Sequence, residues 1–277
     1  MTPFTVAQSD GNNDWSGGNN HLALLIAPAS LQMMVSDADN TVVFVAEFHF
    51  TSTQGEGLVS QIATILNQYK VTANSFQKVY VSFLNREFTL VPESFYDPSR
   101  ITSLVTFVTG SEGAIMGGKL PGLHFCYSVD ATLLNWCEKE FPQAFFLHAG
   151  MVTLSMLLSD ESLHGTSMFL VINNGCMELA VAKQGQVVFY NVFHFEVAED
   201  ILYYVLFAME QLSINPLEAQ LHIASQLEVT NGLVNDLSKY IRKVSYLQRD
   251  KQLKLKVGLH YPEHFFYNLL HQSICAS

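Results

Sequence analysis

Few residues in this chain have both the type and the spacing that chemistry asks for. His260 and His264 stand four apart, with His271 seven further on, a spacing that puts imidazoles on one helical face where they can bind zinc. No glutamate lies between the first two as in His-Glu-x-x-His, and Glu263 is offset, so surface or packing histidines are the expected reading. The run 110–122 holds five glycines and a proline, but it lacks the strand–loop–helix setting and the lysine of a phosphate loop. Ser155, Ser162 and Ser167 show no nucleophile elbow. Asn173-Asn174-Gly175 separates two apolar runs and reads either as a ligand loop or as an ordinary hairpin turn. The turn is the preferred reading.

The elements around that turn are the clearest in the chain. Met168–Asn173, Met177–Lys183 and 187–195 are runs of β-formers joined by Asn174-Gly175 and Gln184-Gly185, which implies an antiparallel meander. Residues 22–50 repeat the pattern. Shifted by 145 positions with no gap, Val42-Val43-Phe44 falls on Val187-Val188-Phe189, and Phe48-His49-Phe50 on Phe193-His194-Phe195. The same shift puts Leu25 on Leu170 and Asp39-Asn40 on Gln184-Gly185. An internal duplication is expected, in which His49 and His194 mark shared ancestry and strand packing, not an acid–base pair.

Composition bounds the rest. With 277 residues, 49% hydrophobic and 14% charged, the chain is globular, with one or two domains. So little charge implies a large core or an apolar surface that meets a partner. A net charge of −11 argues against nucleic acid, because an acidic surface repels phosphate backbones. Cys126, Cys137, Cys176 and Cys275 lack Cys-x-x-Cys spacing and read as thiols in a reducing compartment. The start of the chain shows no signal-peptide pattern. The longest apolar run, 201–209, is far short of the roughly 20 residues that span a bilayer. A soluble cytoplasmic protein without membrane insertion is expected.

Residues 1–20 form a polar lead-in anchored by Trp15, 21–165 a first half, and 166–277 a second half. In the first half, a helix is expected near 58–69 and a hairpin of 79–83 with 87–91 across Leu84-Asn85-Arg86. Residues 101–108 are ambiguous and 110–122 form a loop. A strand at 123–129, a helix at 131–141 capped by Asp130, a strand at 143–148 and a helix at 151–158 follow. In the second half, 196–212 is a helix apolar nearly all round and therefore buried on both sides. A strand at 219–224, a helix at 229–241 and strands at 243–247 and 252–259 come next. Pro262 opens the last helix, which packs on the second half or, as in some relatives, returns to the first.

Three strands, then helix, strand, helix, strand, helix is the order of the ribonuclease-H-like fold. Two such halves resemble the actin-like superfamily of actin, the Hsp70 ATPase domain, sugar kinases and related division and pilus proteins. VINNGCMELAVAKQGQVVF resembles its second phosphate loop, and AEDILYYVLFAMEQLSINPLEAQLHIAS its adenosine segment. TLVPESFYD at 89–97 and EDILYYVLFAMEQLSI resemble a bacterial family with an actin-like ATPase fold, over about residues 20–270. The fold class is thus α/β with mixed sheets: tandem duplicated ribonuclease-H-like halves in an actin-like ATPase fold. Function does not follow from fold alone.

The resemblance implies ATP between the halves, held by Asp-x-Gly-x-Thr/Ser turns whose aspartates organise Mg²⁺. In the first half the matching turn is Ala27-Pro28-Ala29-Ser30, with neither carboxylate nor glycine, and Pro28 removes an N–H. In the second, Asn173 stands for the aspartate, Gly175 for the glycine and Met177 for the hydroxyl residue. An amide does not replace a carboxylate on a hard cation. Ala224-Ser225-Gln226 replaces the paired glycines after the adenosine strand. Ala29 and Ser30, with Asn173, Asn174 and Gly175, therefore mark relict phosphate-loop positions. No catalytic residue, metal or cofactor is expected, and Mg-ATP is disfavoured. The expected function is a non-catalytic binding or scaffold protein with an unidentified protein partner. The alternative is a divergent nucleotide-binding switch or ATPase using the cleft between the halves, with Asp37, Asp39 or Glu178 supplying carboxylates. A small non-nucleotide ligand is a third reading.

Overall fold

The computed structural model describes residues 5–8, 15, 19–160, 165–225, 230–256 and 261–275. The chain divides into two compact units: Met1–Met151 with Asp250–His260 and Leu269–Ser277, and Val152–Arg249 with Tyr261–Asn268.

The first unit opens with β1 (Thr5–Gln8), β2 (Asn20–Ala27), β3 (Ser30–Ser36) and β4 (Thr41–His49), followed by α1 (Gly55–Gln68) and β5 (Phe76–Phe83). An insertion comes next: β6 (Phe88–Pro92), α2 (Ile101–Thr109), β7 (Ala114–Leu120), β8 (Leu123–Val129) and α3 (Ala131–Glu140). Then come β9 (Phe145–His148) and α4 (Ala149–Ser159), which from Val152 on belongs to the second unit. The main sheet runs β1-β4-β3-β2-β5-β9, and the late strand β15 (Lys254–Leu255) also pairs with β4. β2, β3 and β4 are antiparallel neighbours, whereas β5 lies parallel to β2 and β9 parallel to β5. Trp15 is buried, donates its indole N–H to the Tyr69 carbonyl at 2.8 Å and meets Phe44 edge-on.

The second unit holds β10 (Thr166–Asn173), β11 (Cys176–Lys183), β12 (Gln186–His194), α5 (Ala198–Gln211), β13 (Gln220–Ser225), α6 (Thr230–Ser238) and β14 (Lys243–Tyr246). Its sheet runs β12-β11-β10-β13-β14, with β10–β12 antiparallel and β13 and β14 parallel additions. Alternation sends Met168, Leu170, Ile172, Met177, Leu179 and Val181 into one apolar core with Ile201 and Val205 of α5 and Leu233 and Leu237 of α6. Each such side chain contributes about 1.5–3 kcal/mol by leaving water. α7 (Tyr267–Cys275) closes the chain.

In both units the third, second and first strands of the meander are followed across the sheet by two parallel strands. This is the strand order of the ribonuclease-H-like fold. Both meanders carry a bulge at the same place, between Val35 and Ser36 and between Val181 and Ala182. The register corrects the ungapped comparison. Ala27 faces Ser30 as Asn173 faces Cys176, so Leu24, not Leu25, matches Leu170. The extra residue lies in the β3–β4 loop. There Asp37 N–H reaches the Thr41 carbonyl around three residues, while Lys183 faces Gln186 around two.

Other expectations also change. β6 does not form a hairpin with β5; it pairs with β8 in a separate β6-β8-β7 sheet. Most of the glycine-rich loop is strand β7, where Gly117 runs close to the neighbouring backbone: a Cβ there would sit 3.0 Å from the Phe125 carbonyl oxygen. Residues 101–109 are helical, closed by Gly110 at φ 71°. The last helix starts at Tyr267, not Pro262, because Phe266 takes φ 53° and interrupts it. Of 252–259 only Lys254–Leu255 is strand, and 257–260 lie outside the described residues. α5 buries one face only; Tyr203 and Phe207 stay exposed on the other.

Candidate functional site

The positions expected to mark relict phosphate loops fall in two hairpin turns, one per unit. In the second unit, β10 and β11 close on the pair Asn173–Cys176, with Asn174 and Gly175 between them. Gly175 takes φ 72°, the left-handed conformation that only the second central residue of a type II turn requires, and the space where its Cβ would lie is open. Its carbonyl accepts from Phe195 N–H at 3.3 Å. Asn173 is buried, Asn174 half-buried and Gly175 exposed. In the first unit, Pro28 and Ala29 make the turn, and the Ala29 carbonyl accepts from Phe50 N–H at 2.8 Å. Ser30 lies fully buried in β3. The structure thus groups Asn173, Asn174 and Gly175, and separately Ala29 and Ser30.

Neither turn carries a carboxylate. Asp37 and Asp39 belong to the loop at the far end of β3, roughly 20 Å along the strand from the Pro28–Ala29 turn. There the Asp37 carboxylate is engaged by the N–H groups of Asp39 and Thr41, both at 2.9 Å. Glu178 is two residues past Cys176 but fully buried. Its carboxylate accepts from Thr153 Oγ1 and Tyr190 Oη, each at 2.8 Å, and from Asn268 Nδ2. Burial pushes its pKa up to about 7, against the pull of those three donors. Burial, with the same carboxylate beside it, raises the Tyr190 phenol well above its ordinary value. This arrangement ties side chains of α4, β12 and α7 to one buried acid of β11 and leaves its carboxylate oxygens occupied.

The first unit holds its own buried acid, Glu47 of β4. Burial raises its pKa, offset by the charge of His49 and by the amide of Gln32 at 3.5 Å. His148 was not singled out in the sequence. It is fully buried, and burial lowers its pKa to about 3, so the ring is neutral. Gly150 N–H donates to Nδ1 at 2.9 Å, which leaves Nε2 protonated and donating to the Asn85 carbonyl at 3.2 Å. Phe125 stacks on the ring at 4.7 Å. Such a ring is structural.

The histidine spacing assembles nothing for a metal. His264 stacks on Tyr246 at 4.1 Å, His271 is buried and accepts from Asp250 N–H at 3.1 Å, and His260 lies outside the described residues. Among the described residues no group of three or more His, Cys, Asp or Glu is placed to hold a metal ion. Also among them, no helix is long and apolar enough to cross a membrane. His49 and His194 end the third strands of their meanders, opposite Ser30 and Cys176.

Residues 12–244 match the family described as "Protein of unknown function (DUF3822)". No curated protein matches the chain. Among solved structures, the chain is similar to a protein of Bacteroides thetaiotaomicron with an actin-like ATPase fold and unknown function. That likeness has a TM-score of 0.73 at 17% identity over 83% of this chain and 91% of that one. The chain is also similar to the PilM–PilN type IV pilus biogenesis complex, with a TM-score of 0.60 at 12% identity over 92% of this chain and 96% of that one. These likenesses show the fold, a mixed α/β architecture of the actin-like ATPase type.

Proposed function

The chain belongs to the DUF3822 family, and from that premise we propose that it is a non-catalytic binding or scaffold protein on an actin-like ATPase fold. Its nucleotide site has lost the chemistry of Mg²⁺. One observation carries this reading: the first acid after the Asn174–Gly175 turn along the chain, Glu178, is sealed in the interior with three donors on its carboxylate. A hard cation needs carboxylate oxygens it can reach, and neither turn offers one. Pro28 in the first turn also has no N–H to offer a phosphate. The shared strand order and bulge support an internal duplication, after which the turns diverged.

A protein partner is the corresponding proposal. The PilM of the similar solved structure is in a complex with PilN; for this chain that is an analogy of fold. Four cysteines without Cys-x-x-Cys spacing, three of them buried, support a reducing compartment such as the cytoplasm. Titration calorimetry of the purified chain with ATP and ADP, with and without Mg²⁺, tests the reading. No saturable heat and no phosphate release are expected. Saturable micromolar binding would replace it with a nucleotide-gated switch.

A further inference from the structure

Helix α5 keeps two large aromatic side chains on its solvent face. Ile201, Val205, Ala208 and Met209 face the core. On the opposite face, Tyr203 is 59% exposed and Phe207 44% exposed. The helical period places them one turn apart, and their rings stack at 5.7 Å with planes 15° apart. Tyr203 also meets Tyr204 edge-on, and Tyr204 stacks on Phe193 at 4.4 Å. The exposed pair is therefore held from behind and already ordered before any partner arrives.

The charged residues of α5 itself have one sign; at its C-terminal end the Lys183 ammonium is taken up by the Leu212 carbonyl at 2.7 Å. The sequence of α5, AEDILYYVLFAMEQ, contains no lysine, arginine or histidine. Glu199 stands one turn before Tyr203 and Glu210 about one turn after Phe207, both exposed. Asp200 is occupied in capping, accepting from the N–H groups of Glu196 and Val197 at 2.9 and 3.1 Å. The face thus offers a π-surface between two free carboxylates roughly 16 Å apart along the axis. Cations are attracted both to aromatic faces and to carboxylates, and arginine satisfies the two at once.

We propose that the outer face of α5, through Glu199, Tyr203, Phe207 and Glu210, docks a basic segment of a partner protein whose arginines flank apolar residues. The inference deepens the binding reading by naming the partner's chemistry, and it rests on that reading only for the existence of a partner. Phosphate-rich occupants are disfavoured by the carboxylates.

The probe is a fluorescein-labelled peptide, Arg-Arg-Leu-Ala-Leu-Arg-Arg, titrated with the full chain and read by fluorescence anisotropy. The expected result is saturable binding to the wild type, weakened about tenfold or more by Tyr203→Ser with Phe207→Ser and about threefold by Glu199→Gln with Glu210→Gln. Glu112→Gln with Glu138→Gln, an equal loss of exposed negative charge elsewhere, should leave binding unchanged. Equal weakening by that control pair would reduce the effect to general attraction by an acidic chain and overturn the proposal. So would undiminished binding to the folded aromatic variant, or equal binding of a peptide with glutamate in place of arginine. Hydrogen exchange on the wild type needs no variant: peptide-dependent protection is expected at α5, and protection confined to other elements would refute it. None of these outcomes bears on nucleotide binding, which the calorimetry reads separately.

Discussion

Gln32 and Glu178 occupy the same place in two sheets of the same strand order, each two residues beyond the first hairpin turn and on a buried face. Only one is a carboxylate. In the first unit the acid has moved to the neighbouring strand: Glu47 faces Gln32, where the second unit has Val192 facing Glu178. The difference in surroundings follows from the cost of burying charge. Glu178 has three side-chain donors drawn from α4, β12 and α7, whereas Glu47 is met by the charge of His49, the Gln32 amide at the limit of hydrogen bonding and the Ser30 hydroxyl, from its own strand and β3 alone. Strand order and bulge thus survive while the polar chemistry inside is rebuilt locally, donor by donor.

The comparison breaks most severely where the better-supplied acid is removed. Glu178→Ala takes the carboxylate acceptor from Thr153, Tyr190 and Asn268 and leaves a void, Thr153 keeping Asn268 Oδ1 at 3.2 Å. A loss of about 3–5 kcal/mol is expected in denaturant titration. Glu178→Gln keeps the shape and one acceptor, and isolates the effect of charge. Burial raises the Glu178 pKa from 4.5 to about 7, so the folded state holds this proton more tightly than the unfolded chain. Its stabilising contribution is complete below the unfolded value and is lost as pH rises through about 7. The stability of the wild type relative to Glu178→Gln should fall by about 3 kcal/mol between pH 4.5 and pH 8. A flat difference across that window would mean that the acid is not buried as described.

The first unit supplies the converse. Gln32→Glu gives β3 the residue that β11 carries, but without the donors, and puts a second carboxylate against Glu47. Two acids so close cannot both ionise cheaply. A destabilisation of about 2 kcal/mol at pH 8 is expected, fading toward pH 5 as one of the pair takes a proton. Equal cost at both pH values would sink the like-charge explanation.

The parts of this arrangement that sequence makes visible are the local ones. Asn174-Gly175 and Gln184-Gly185 announce the β10–β12 meander because those turns demand particular backbone conformations. Asp130 announces α3 because its carboxylate accepts from Leu133 N–H at 2.9 Å. β7 is hidden because Gly117 and Gly118 look like loop residues, although Gly117 lies against the Phe125 carbonyl of β8. Glu178 can be named as a free-standing acid, but Thr153, Tyr190 and Asn268 lie 25, 12 and 90 positions away, with no pattern to join them to it. The Asn173 turn is legible as a turn because Asn-Gly is a strong local signal.

At the turns themselves the expected effects shrink. Gly175→Ala should cost about 1 kcal/mol, because φ 72° strains any side chain even though the space is open. Ala29→Gly, at a turn position without positive φ, should cost only about 0.5 kcal/mol, through the entropy of the unfolded chain. A larger cost at Ala29 than at Gly175 would reverse the contrast between the two hairpins.

The smallest effects lie in the second loops of the meanders and allow a mirrored test. Asn40 at φ 58° and Gln184 at φ 51° both sit in the left-handed region. Asparagine tolerates that region because its short amide bonds locally, and glutamine has no such compensation. Gln184 and Gly185 both take positive φ, as a type I′ turn requires, and Asn-Gly is the preferred pair there. Gln184→Asn should therefore gain about 0.5 kcal/mol, and Asn40→Gln should lose a similar amount. Hydrogen exchange of the β11–β12 and β3–β4 amides reads each change in its own unit. If both substitutions shift protection in the same direction, the two loops do not share one conformational preference, and the likeness between the meanders ends at their strands.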